Sequence, residues 1–251
     1  MNLMLGILEL IVCFSGVLLM DKLFGKWGLY TWMSLAVVFA NIQVSKQVDI
    51  AGISTALGNV MFASTYLATD ILNERYGDKA GRNAVKIAAG ALVAYIVFAQ
   101  FTQLFIPNAY DVVDPGMKTI FAMSVRITAA SGFMFVLANW CDVLLYQKIK
   151  EKTGGKHMWF RNNVSTILCN CLENFAFSLL AFVGVYPVLY CLEVAVMGSL
   201  VEMVIAVFDT PFLYLSKHIG EKTGILLEKE EEELQDHETE KKKAGASEVA
   251  V

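Results

Sequence analysis

The sequence predicts an all-α, polytopic transmembrane helical bundle, on three observations. The chain of 251 residues is 56% hydrophobic and only 18% charged. Its apolar runs, at about 3–20, 27–45, 51–73, 84–106, 118–145, 162–184 and 187–215, are longer than a soluble core requires. A span needs about 20 such residues, so the expected count is seven. Third, basic residues fall in every second short loop, the pattern that orients spans in a bilayer.

Taken in order, the first run has no basic residue ahead of it and no small-residue cleavage site after it, so it reads as a retained span. The loop after it carries Lys22 and Lys26, and the loop after span 3 carries Arg75, Lys79 and Arg82, with Lys86 nearby. Lys148, Lys150, Lys152, Lys156 and Arg161 follow span 5, and Lys217 and Lys222 follow span 7. The opposite loops, around Lys46 and Asp49 and from Pro107 to Gly116, are poor in basic residues. The expected orientation has the N-terminus outside and the C-terminus in the cytoplasm. Residues 1–220 then form one transmembrane domain, and the charged run in 221–251 is expected to be a disordered cytoplasmic tail.

All five cysteines, at 13, 141, 169, 171 and 191, lie in expected spans without disulfide spacing, and all three histidines lie outside them. No phosphate loop, zinc signature, nucleophile elbow or dinucleotide fingerprint occurs. Carboxylates without such partners point to binding and not to covalent chemistry, so neither an enzyme nor a cofactor is expected.

An ionised side chain facing lipid costs about 2.5–3.5 kcal/mol near a helix centre, so intramembrane acids usually face protein or a water-filled cavity. The end of span 3 is the densest case: Asn59, Tyr66, Asp70 and Asn73 share a helix face, with Glu74 beside them. Span 5 holds Asn139 and Asp142, three apart, and Arg126 near its outer end. Span 6 carries a stripe of Asn163, Thr166, Asn170 and Glu173, with Glu173 near mid-span. Span 7 adds Glu202 and Asp209 on one face, and span 2 ends in the amide-rich Asn41-Ile42-Gln43. A cavity of Asp, Glu, Asn and Tyr suits a planar, donor-rich molecule: carboxylates accept from N–H groups, amides do both, and aromatic rings stack.

Several blocks together resemble the queuosine precursor transporter family. They are Ala40-Asn41-Ile42-Gln43, Thr69-Asp70-Ile71-Leu72-Asn73-Glu74-Arg75-Tyr76-Gly77 with Arg82, and Val125-Arg126-Ile127-Thr128-Ala129 with Asn139-Trp140-Cys141-Asp142-Val143. Ser165-Thr166-Ile167-Leu168-Cys169-Asn170, continuing to Glu173 and Ala176-Phe177, completes the set, and the match covers roughly 30–215. The resemblance implies uptake of 7-deazaguanines (preQ0, preQ1 or queuine) across the bacterial inner membrane. It also implies a six-helix core similar to energy-coupling-factor substrate-binding subunits, with span 1 as an extra helix. Glu173 stands where the family pattern suggests Asp, and Asn139 where it suggests Gln.

A deazaguanine presents an amide N–H and an exocyclic amine on one edge, and a carboxylate can accept from both. Glu173 or Asp142 is expected to meet that edge, with Asn170, Asn139 and Asn41 supporting and Tyr66 stacking. Asp70, Asn73, Glu74, Arg126 and Glu202 are assigned to a structural or coupling network. The expected partners are a purine-like small molecule and the lipid bilayer, with no direct nucleic acid contact and no metal; a homo-oligomer is left open. The rival reading is a binding subunit that needs a separate ATPase and coupling module.

Overall fold

The structure is a computed structural model. It describes the backbone of residues 1–44, 46–50, 53–121, 125–184 and 187–248, and the side chains of 1–44, 46, 48–49, 57–121, 130–184 and 187–219. It is a bundle of long helices with one two-stranded hairpin.

Helix α1, Asn2–Gln43, breaks at Gly25, whose φ of 55° is open to glycine and strained for other residues. Its arms, 2–24 and 26–43, run back against each other. A Cβ at Gly28 would stand 2.1 Å from the Met20 carbonyl oxygen, and one at Gly16 would meet the Trp32 ring. At the far end of the arms, Gln43 Nε2 donates to Glu9 Oε1 at 2.9 Å. The first two apolar runs are thus two antiparallel helices joined by a tight glycine turn.

The third run departs from expectation. Instead of a helix starting near residue 51, strands β1 (Gln47–Ile50) and β2 (Ile53–Ala56) pair antiparallel, and helix α2 starts only at Asn59 and ends at Arg75. Val48, Ile50, Ile53 and Thr55 are β-branched, which favours extended backbone over helix. Leu57 N–H donates to the Lys46 carbonyl at 3.0 Å, closing the hairpin base. Gly58 then lets the chain pass the second arm, since a Cβ there would lie 2.6 Å from the Ala40 carbonyl oxygen.

Helix α3, Asp78–Leu104, follows the fourth run. In the fifth run, expected over 118–145, the described elements are α4 (Asp114–Phe121) and α5 (Val125–Lys152), and residues 122–124 lie outside the described set. Asp111 explains the early start of α4: its Oδ1 accepts from the N–H groups of Val113 and Asp114 at 2.8 and 3.0 Å. Helices α6 (Met158–Phe182) and α7 (Val188–Glu248) take the last two runs, with Pro211 inside α7.

Among the described residues four helices are long and apolar enough to cross a bilayer: Asn2–Gln43, Asp78–Leu104, Met158–Phe182 and Val188–Ile219. Their outer faces expose large apolar side chains such as Leu19, Phe98, Phe101, Leu172 and Phe208, as a lipid-facing surface requires. Helix α2 is different. Every residue from Ala63 to Asn73 is buried, because α2 packs against α1, α3, α5 and α7. It forms the centre of the bundle, which explains how it can carry so many polar groups.

Candidate functional site

Polar side chains line α2, α5, α6 and α7 in successive layers. The first layer lies near the middle of the bundle. Tyr66 donates its hydroxyl to Glu173 Oε2 at 2.6 Å, joining α2 to α6 across 107 residues of sequence. Asn174 Nδ2 donates to Glu202 Oε2 at 2.6 Å and to the Asn170 carbonyl at 3.0 Å, joining α6 to α7. Tyr66 is buried, whereas Glu173 and Glu202 are half-buried. Asn174, which joins them, is half-buried as well.

The second layer is buried. Asp70, Asp142, Thr69, Ser165 and Thr166 are all buried, and Thr166 Oγ1 donates to Asp70 Oδ2 at 3.4 Å. Hydroxyls of Thr69, Ser165 and Thr166 surround Asp142. Beside it, Asn162 Nδ2 donates to Asp209 Oδ1 at 2.6 Å, and Asn163 Nδ2 to Thr210 Oγ1 at 2.7 Å.

An ionic clamp closes the end of the column that carries the basic loops. Glu74 Oε2 accepts from Arg161 Nη2 at 2.5 Å, Lys150 Nζ at 3.1 Å and the Tyr146 hydroxyl at 3.3 Å. The Arg161 side chain is only 1% exposed; it also donates to the Gly155 and Lys156 carbonyls, and its guanidinium stacks 5.4 Å from the Tyr146 ring centre. Lys150 Nζ reaches the carbonyls of Asn73 and Glu74, a cation at the C-terminal end of α2 where the helix dipole favours it. A second pair, Arg75 with Asp21, ties α2 to the first arm of α1, and Ser216 of α7 donates to the same Asp21 oxygen at 3.2 Å.

A family described as "Putative vitamin uptake transporter" matches residues 56–216. A curated protein of Bacillus subtilis (strain 168), "Probable queuosine precursor transporter", is 34% identical over 208 residues, 82% of this chain and 91% of that protein. This chain belongs to the queuosine precursor transporter family. No solved structure matches it. The family is one of transporters and not of enzymes.

In this member of the queuosine precursor transporter family, the candidate residues separate into groups. Glu173, Tyr66, Asn170 and Glu202 lie in the middle layer or at its edge, joined by Asn174. The Tyr66 hydroxyl orients the Glu173 carboxylate. Asp142 and Asp70 share the second layer, and Asn139 is buried one turn from Asp142 on α5, donating to the Phe135 carbonyl at 3.0 Å. Asn41 likewise donates to its own helix, at the Val37 carbonyl, 2.8 Å away. Asn73 is buried against Gly81, where a Cβ would lie 2.4 Å from Asn73 Oδ1. Glu74 belongs to the clamp. The Arg126 side chain lies outside the described residues.

Among the participants that went unnoticed as site residues in the sequence are Asn174, Asp21, Tyr146, Asn162, Lys150 and Arg161, the last two counted only as loop cations. Asn174 had a usable signal, since it follows Asn170 by four positions and shares its face.

Proposed function

We propose that this protein imports 7-deazaguanine precursors of queuosine across the bacterial inner membrane, with the N–H edge of the base on Glu173. The observation that carries this reading is the Tyr66–Glu173 pair in the middle of a bundle whose family is that of queuosine precursor transporters. A carboxylate held by one phenol keeps acceptor capacity for the amide N–H and exocyclic amine of a guanine-like edge. Glu173 suits this role better than Asp142 because it is half-buried, whereas Asp142 is sealed in the second layer. Asn170, whose Oδ1 lacks a partner, and Glu202 complete the wall, and the buried Tyr66 ring offers an aromatic edge to the base.

We further propose seven crossings, made by the two arms of α1 and by α2, α3, α5, α6 and α7. The last six would form a core of the kind found in energy-coupling-factor binding subunits, and self-association is compatible with this plan. The basic loops would face the cytoplasm and the N-terminus would lie outside. In a variant without native cysteines, a maleimide added outside should label Val112→Cys and spare Thr153→Cys. Labelling at both sites, or the reverse pattern, would refute this orientation.

The test of function is uptake. A bacterial host deleted for its own precursor uptake, and lacking any energy-coupling module, should take up a labelled 7-deazaguanine when it expresses this chain alone. Uptake only after an ATPase and coupling protein are added would identify a binding subunit instead. No uptake under either condition would overturn the assignment.

A further inference from the structure

Glycine inside a helix weakens it relative to alanine, so Gly198 in α7 raises the question of what a side chain there would obstruct. It would obstruct Asn174 of α6. A Cβ at position 198 would stand 2.5 Å from Asn174 Oδ1 and 3.2 Å from its Cγ, too close for the amide to stay where it is. With that space open, the amide lies against α7 and its nitrogen reaches Glu202, one turn further along the same helix. Asn174 Nδ2 carries two hydrogens, enough for both of its acceptors: Glu202 Oε2 at 2.6 Å and the Asn170 carbonyl at 3.0 Å.

Among the described residues Asn174 is the one hydrogen-bond donor to Glu202, and no ion pair involves Glu202 or Glu173. The two carboxylates are thus held alike. Each gives Oε2 to one neutral donor on a neighbouring helix, Tyr66 for Glu173 and Asn174 for Glu202, and each keeps Oε1 free of a donor. Without Asn174 the long Glu202 side chain would regain rotamer freedom that binding would then have to remove. Glu173 and Asn174 are consecutive on α6. One helix therefore carries both the first carboxylate and the group that fixes the second.

We propose that Asn174, seated on Gly198, is a positioning residue that holds Glu202 as the second acceptor for the transported base. This role rests on the assignment of Glu173 to the amide edge of a 7-deazaguanine. A base bound there has N–H groups left over, on its five-membered ring and on an aminomethyl arm where it carries one. Glu202 Oε1 is set to accept from one of them. Asn174 acts through Glu202 and not on the base, since both of its amide hydrogens are committed. Its contribution is preorganisation, and Gly198 contributes only the room that the amide needs.

The test uses the full chain in lipid nanodiscs, with equilibrium binding of radiolabelled 7-aminomethyl-7-deazaguanine and thermal melting on the same preparations. Asn174→Ala and Gly198→Ala are each expected to weaken binding about tenfold, the loss of one hydrogen bond to a charged group. The melting temperature should move by no more than about 4 °C. Glu202→Ala should cost at least as much affinity, and adding Asn174→Ala or Gly198→Ala to it should cost nothing further, because no carboxylate is left to hold. If the Glu202→Ala proteins fail to fold, Gly198→Ala with Asn174→Ala decides: a glycine that only makes room for the amide has no effect once the amide is gone. Losses that add in the double variants would show that Asn174 and Gly198 merely pack α6 on α7, and would overturn the proposal. Unchanged affinity in Asn174→Ala would overturn it too. No binding by the unmodified protein overturns the Glu173 assignment and this role with it, whereas binding with additive losses overturns this role alone.

Discussion

Glu173→Gln is expected to weaken binding of a 7-deazaguanine by about a hundredfold or more while leaving the melting temperature nearly unchanged. The substitution keeps size and shape but turns one acceptor oxygen into a donor. Tyr66 already donates to one carboxylate oxygen. If the amide offers its oxygen to Tyr66, its NH2 confronts the substrate N–H edge; if it turns round, Tyr66 must give up its donation and accept from the NH2, and a single acceptor is left for an edge that needs two. Either way the substrate edge loses an acceptor. Equilibrium binding and thermal melting on the same preparation check this. Loss of folded protein in detergent, or unchanged affinity, would show that Glu173 is a packing residue and not a ligand.

The second large effect concerns stability. Glu74→Ala should destabilise the protein by about 3–5 kcal/mol, because it leaves the Arg161 guanidinium buried without its carboxylate. Combining it with Arg161→Met should recover most of that loss, since an apolar side chain of similar length has no charge to compensate. Denaturant unfolding in mixed micelles would measure all three variants. If Glu74→Ala alone is neutral, or the double variant is as unstable as the single, the clamp is a surface contact.

Much of the site was legible in the sequence, and the reasons are local. Thr166, Asn170 and Glu173 recur at helical spacing on an apolar helix, and an acid at mid-span has few tolerable surroundings. The polar face from Tyr66 to Asn73 predicted that this side of the helix meets protein or a water-filled cavity; the bundle goes further and buries residues 63–73 on all sides. What periodicity could not supply was partner choice. Tyr66 with Glu173 and Arg161 with Glu74 are separated by 107 and 87 residues, and such pairings are set by how helices stack. The hairpin of 47–56 was missed for a different reason. A short apolar run is compatible with strand and helix alike, and total hydropathy favours helix even where β-branched residues favour extended chain. The early start of α4 turned on Asp111, whose carboxylate accepts from the first N–H groups before the apolar run begins.

The Asp21 contact has a consequence for biogenesis. Arg75 is translated 54 residues after Asp21, and Ser216 comes 195 residues after it. At about 5–20 residues per second, Asp21 waits roughly 3–11 s for its cation and roughly 10–40 s for its hydroxyl. During the first interval Asp21 has no synthesised partner among these, and during the second only Arg75 is available to it. The last helix therefore brings its hydroxyl to a carboxylate whose cation has been synthesised well before it.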